Sequence, residues 1–88
     1  MITRNVTITN KTGIHARPAS LFIGTASKFK SNITIENGAK KGNGKSMINI
    51  LGLCLTAGTN IAITAEGEDE RAAVDALVAL VESKFGEA

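Results

Sequence analysis

From residue 2 to residue 9 apolar and polar positions alternate, with Ile2, Val6 and Ile8 on one side and threonines opposite. This is the two-residue period of a half-buried strand. The period then changes. From residue 16 to about residue 29 the apolar positions Ala19, Phe22, Ile23, Ala26 and Phe29 recur at intervals of three and four, which predicts a first helix. Pro18 suits its first turn, where a missing N–H leaves no helical bond unmade, and Gly13 supplies a sharp approach. Alternation returns over 32–36 through Ile33 and Ile35, and Asn37-Gly38 predicts a tight reversal into a third strand around 39–43. Lys40, Lys41 and Gly42 give that strand little to bury, so it reads as a short edge strand.

Ser46 stands before the apolar segment 47–51 as an N-cap would, and Gly52 follows it as a stop, which predicts a short second helix. After the turn residues 56–59, Ile61, Ile63 and Ala65 alternate through a fourth strand over 60–66 that ends at Gly67. Asp69 and Glu70 favour the start of a last helix, whose buried stripe is Ala73, Val74, Leu77, Leu80, Val81 and Phe85. The predicted order is β-α-β-β-α-β-α. Three amphipathic helices and one alternating sheet imply a two-layer α+β fold with the other face of the sheet in water.

Length and composition narrow the function. A chain of 88 residues holds one domain, 1–88, and leaves little room for a deep substrate pocket, so the working surface is expected to be exposed and an independent enzyme is disfavoured. Hydrophobic residues at 43% and charged residues at 20% exclude a disordered chain. The one cysteine, Cys54, can form no internal disulfide and reads as a small buried apolar residue, and no Cys and His set has metal-ligand spacing, so no metal is expected. The alternating N-terminus is no signal peptide, and no apolar run reaches the roughly 18 residues of a membrane span, so membrane insertion is not expected and a cytoplasmic location fits. A net charge of +2, no Tyr or Trp and three Phe argue against nucleic acid as a partner. Lys40, Lys41 and Lys45 form either a solvated surface or a patch that steers an acidic partner.

The informative segment is Gly13-Ile14-His15-Ala16-Arg17-Pro18-Ala19-Ser20, which puts the only histidine at the entry to the first helix. A lone histidine is commonly structural, but the unpaired N–H groups of a first helical turn, here those of Ala16 and Arg17, make an anion site beside the imidazole. The positive helix end opposes an imidazolium, which leaves a ring nitrogen lone pair free to attack phosphorus, and then favours the phosphoryl group once attached. Arg17 can pair with the phosphoryl oxygens in forked geometry, although taken alone it is an ordinary exposed arginine.

This segment resembles the active-site signature of HPr, the histidine-containing phosphocarrier of the bacterial sugar phosphotransferase system. The likeness extends along the chain through Gly44-Lys45-Ser46, Leu51-Gly52-Leu53, Gly58-Thr59 and Ala65-Glu66-Gly67-Glu68-Asp69-Glu70. The resemblance implies an open-faced sandwich, a four-stranded antiparallel sheet in order 1-4-2-3 with three helices on one face, working as a monomer. It implies that enzyme I, phosphorylated by phosphoenolpyruvate, passes the group to Nδ1 of His15, and that His15 hands it to enzyme IIA domains of sugar transporters. In HPr proteins of one branch of bacteria the serine matching Ser46 is a target of a dedicated kinase, an HPr kinase/phosphorylase, and the modified form is a corepressor for a catabolite control regulator, so the resemblance makes Ser46 a candidate for the same regulation.

Ser46 is equally an ordinary cap, and both readings hold together. Met47, Ile48 and Leu51 cannot all be buried by so short a helix and are read as an apolar docking patch, continued along the first helix by Ser20, Gly24 and Ser27. Gly42 and Gly44 stand where the family often has apolar residues, which predicts a looser third strand and exit, and Asn49 stands where many members have glycine. The nearest rival is a paralogue in a regulatory phosphorelay using the same His15 chemistry. A pure interaction module is the rival from another class.

Overall fold

In the computed structural model, which describes residues 1–86, strands β1 (Ile2–Thr7), β2 (Asn32–Asn37), β3 (Lys40–Asn43) and β4 (Asn60–Glu66) are interspersed with helices α1 (Ala16–Ala26), α2 (Met47–Gly52) and α3 (Glu70–Glu82), with β2 and β3 consecutive. The element order is the predicted one. The strands form a single antiparallel sheet in the order β1-β4-β2-β3. Register explains the layering. Ile2 and Ile33 flank Ala65, Ile35 lies opposite Ile63 and Val6 opposite Ile61, so the apolar set of every long strand projects to one face. The three helices cover that face with Ala19, Phe22, Ala26, Ile50, Ala73, Val74, Leu77, Val78 and Val81, all buried. Thr3 and Thr64 share the polar face, their hydroxyls 2.9 Å apart.

Several boundaries differ from the sequence expectation, each for a local reason. Pairing continues past β1, because Ile8 donates to Thr59 and accepts from Gly58, although the strand itself ends at Thr7. Helix α1 stops at Ala26, and Lys28 and Phe29 close onto Thr25 and Ala26 in tighter three-residue turns that keep Phe29 against the core. Asn37 pairs with Lys40, so Gly38 and Ala39, not Asn37 and Gly38, form the reversal. The side chain of Asn37 is freed to donate to the Leu53 carbonyl at 2.9 Å.

Gly52 is the last residue of α2 and not its stop. The chain turns left-handed at Cys54, whose φ of 54° leaves its side chain exposed rather than buried as expected. Phe85 lies beyond α3, at a φ of 55° in a closing 3-10 turn (Lys84–Gly86), and reaches the core from there, while Leu80 is half-buried and Val78 takes a buried place. Asp69 makes no side-chain cap bond to its own helix. Its carboxylate instead accepts from the amides of Lys30 and Ser31 and from the Ser31 hydroxyl, fastening the α1–β2 connection to the start of α3.

The expected loosening at Gly42 and Gly44 is also corrected. A Cβ on Gly44 would lie 2.5 Å from Ile33 Cγ2 and 3.3 Å from Phe22 Cε1, and one on Gly42 would lie 3.1 Å from Asn49 Cβ. Both glycines are buried, so they permit close packing at the exit of β3. Of the three lysines, Lys45 is committed structurally, with Nζ donating to the Phe29 carbonyl at 2.8 Å, whereas Lys40 and Lys41 are exposed.

Candidate functional site

The approach to α1 is a short loop held on both sides. Gly13 donates to the Asn10 carbonyl at 3.1 Å, and the buried Asn10 carboxamide donates back to the Gly13 carbonyl at 2.6 Å. Ile14 donates to the Leu55 carbonyl at 2.7 Å and buries its side chain. Gly13 has a φ of 66°, and a Cβ there would sit 2.6 Å from the Leu55 carbonyl oxygen, so the loop rests directly on the backbone after α2. Only glycine satisfies the dihedral and the contact together.

This seat delivers His15 to the N-cap of α1 in extended conformation, φ −117° and ψ −160°, with its side chain exposed. Its carbonyl accepts the first helical bond, from Ala19 at 2.9 Å. Its imidazole makes no capping bond. The local sequence gives a reason: an N-cap side chain accepts from the second or third helical residue, and the third is Pro18, which has no N–H. The amides of Ala16 and Arg17 belong to the first turn and have no acceptor within the helix. The ring is held from the other side, with Nε2 3.0 Å from the Thr12 hydroxyl. Arg17 is exposed and belongs to neither ion pair found among the described residues, Met1 amine to Glu70 and Arg4 to Asp75.

Around this point α1 and α2 pack on each other and turn polar and apolar groups outward. Ser20 and Gly24 lie exposed on α1 and Ser27 lies exposed at its C-cap, as expected. On α2, Ile48 is 83% exposed and Leu51 43%, while Met47 is half-buried against the core and contributes less surface than expected. Leu21 is also exposed on α1 and was not anticipated, although an apolar residue lying off the stripe of Ala19, Phe22, Ile23 and Ala26 is a signal that could have found it. Ser46 caps α2, its hydroxyl accepting from the Asn49 amide at 3.3 Å, and the Asn49 carboxamide accepts from the Asn43 amide at 2.9 Å.

Thr12 and Asn10 are the residues that sequence reasoning missed. Nothing in their spacing shows that a turn will fold one hydroxyl back onto the imidazole or bury one carboxamide against the Gly13 carbonyl. Two shallow grooves border the sheet, one beside Lys41, Asn43 and Asn49 and one beside Asn5, Thr7 and Glu82, and neither includes His15. No His, Cys, Asp and Glu group among the described residues could hold a metal ion, and no helix among them is long and apolar enough to cross a membrane. The arrangement is an exposed imidazole at the N-cap of α1, followed by two first-turn amides with no helical acceptor.

Comparison with known proteins identifies the family of the chain. Residues 2–83 match a family model described as the PTS HPr component phosphorylation site. The phosphocarrier protein HPr of Haemophilus influenzae is 43% identical over 81 residues, covering 92% of this chain and 95% of the relative. The solved HPr of Thermoanaerobacter tengcongensis superposes with a TM-score of 0.97 at 51% identity, covering 100% of this chain and 99% of that one. Crh of Bacillus subtilis, a catabolite repression protein solved as a dimer with a swapped domain, has a TM-score of 0.77 at 38% identity, over 96% of this chain and 97% of its own.

Proposed function

This chain belongs to the HPr phosphocarrier family of the sugar phosphotransferase system, and from that premise we propose that it accepts a phosphoryl group from phosphorylated enzyme I on Nδ1 of His15 and donates it to enzyme IIA domains. The observation that carries this reading is the exposed imidazole at the N-cap of α1, next to amides with no helical acceptor. The donor's bond to phosphorus breaks as the bond from Nδ1 forms. The three phosphoryl oxygens carry the charge throughout, so what the carrier must supply is position and compensating dipoles. The amides of Ala16 and Arg17 supply fixed dipoles, and the unpaired Arg17 guanidinium is available to the same oxygens. The protein is a stoichiometric carrier, not an enzyme with its own substrate pocket, and works in the cytoplasm where enzyme I acts.

The docking surface in this proposal is Ser20 and Gly24 of α1 and Ser27 at its C-cap with Met47, Ile48 and Leu51 of α2, extended by Leu21. Exposed aliphatic side chains at the centre of a polar surface are the expected form of a transient protein interface. Ser46 caps the helix that carries Ile48 and Leu51. A phosphate added there by an HPr kinase/phosphorylase would set two negative charges beside that patch, slowing acceptance from enzyme I and creating a surface for a catabolite control regulator. The likeness to Crh favours such a regulatory role alongside transfer.

The experiment is a relay reconstituted from enzyme I, phosphoenolpyruvate, this protein and a IIA domain. Label is expected to pass through the wild-type chain to the IIA domain, and His15→Ala is expected to stop it before this chain. Passage through the alanine variant would refute the assignment.

A further inference from the structure

The imidazole of His15 has two nitrogens, and the carrier reading, on which this inference rests, needs the lone pair on one of them. The structure holds the ring by the other: Nε2 lies 3.0 Å from Thr12 Oγ1, while Nδ1, the nitrogen nearer the main chain, makes no capping bond. We propose that Thr12 is a positioning residue that accepts the Nε2 proton, fixes the neutral ring as the Nε2–H tautomer, and thereby keeps the attacking lone pair on Nδ1.

Two features of the site support that direction of the bond. A ring protonated on Nδ1 would present an N–H donor to a helix end already lined with N–H donors, those of Ala16 and Arg17. A ring protonated on Nε2 presents a lone pair there and needs an acceptor on its far edge. The Thr12 hydroxyl stands in that place. Pro18 completes the arrangement by removing the third-position amide that an N-cap side chain would otherwise engage. In free solution a histidine ring exchanges its proton between the two nitrogens, and its partner sets which one keeps it.

Thr12 is itself held. It lies within the Asn10–Gly13 turn, closed by the 3.1 Å bond from the Gly13 amide to the Asn10 carbonyl and braced by the buried Asn10 carboxamide on the Gly13 carbonyl. A hydroxyl on so short a turn has little freedom to leave the ring. During transfer the Nε2 proton stays where it is: the donor's bond to phosphorus breaks, the Nδ1–P bond forms, and the ring gains positive charge. The bond from Nε2–H to Thr12 strengthens as that charge develops, so the contact helps the transition state more than the resting ring.

The test reads the tautomer directly, through the two ring nitrogen shifts of His15 in the wild-type protein, Thr12→Val and Thr12→Ser at alkaline pH. Wild type and Thr12→Ser are expected to show the lone pair on Nδ1, and Thr12→Val a mixture of both neutral forms. Acceptance from phosphorylated enzyme I should slow about five- to tenfold in Thr12→Val, the size of one lost hydrogen bond, and recover in Thr12→Ser. Backbone spectra away from the 10–17 loop should coincide in all three, since the side chain is exposed. Ring shifts in Thr12→Val identical to those of wild type would overturn the proposal whatever the rate does. Because the shifts are read with no phosphoryl donor present, they decide this point even if the wild-type protein fails as a carrier.

Discussion

At the scale of residues, the Asp69 carboxylate and the Glu70 carboxylate make the clearest claims on pH. Asp69 is held below its ordinary value of 3.8, first by the Ser31 hydroxyl and next by the Lys30 amide. Glu70 is held below 4.5, first by the N-terminal ammonium 2.8 Å away and next by the Gly67 amide. A carboxylate whose pKa is depressed by folding adds stability that is complete above its unfolded value and disappears as pH falls through its folded value. The melting temperature is therefore expected to hold steady down to roughly pH 5 and to decline below it. Asp69→Asn should melt lower than wild type at neutral pH and show a shallower acid decline. A decline of unchanged steepness, followed by calorimetry, would separate Asp69 from acid sensitivity.

At the scale of elements, periodicity was most legible where one face alone is buried. The fourth strand has the bounds its alternation predicts, and Ala19, Phe22 and Ala26 of the predicted stripe are buried on α1, because burial of a single face imposes the period directly, whereas Ile23 is half-buried and Phe29 falls beyond the helix. The connections were not legible to the same degree. The left-handed turn that exposes Cys54, the shift of the hairpin to Gly38 and Ala39, and the Thr12 hydroxyl meeting His15 depend on backbone bonds between segments distant in sequence or on one local dihedral. Gly44 is the sharpest case, since its composition suggested looseness and its contacts require the opposite. Its backbone tolerates any residue, but Ile33 occupies the space a Cβ would need. Gly44→Ala is expected to destabilise the fold by about 1–3 kcal/mol through overpacking. Urea unfolding checks this, and an unchanged midpoint would mean that β2 and α1 yield at no cost.

At the scale of the whole molecule, one face of the sheet is polar and the other is filled by helices, so the candidate chemistry and the exposed apolar side chains fall on the helical side near the start of α1. That division separates folding from recognition. Ile48→Asp should change stability by no more than about 0.5 kcal/mol, because the side chain is 83% exposed. The same substitution should slow acceptance from enzyme I roughly fivefold or more, as loss of a central interface side chain does. Equal loss of stability and transfer would mean that Ile48 serves the fold. The chain is proposed to work as a monomer, and sedimentation at working concentration should show one chain per particle.

The most direct measurement is phosphorus NMR of the protein after reaction with enzyme I and phosphoenolpyruvate. The account predicts one phosphohistidine resonance, of the Nδ1 type, that vanishes on mild acid treatment and is absent from His15→Ala. A phosphate that survives acid, or a resonance that persists in the alanine variant, would contradict it.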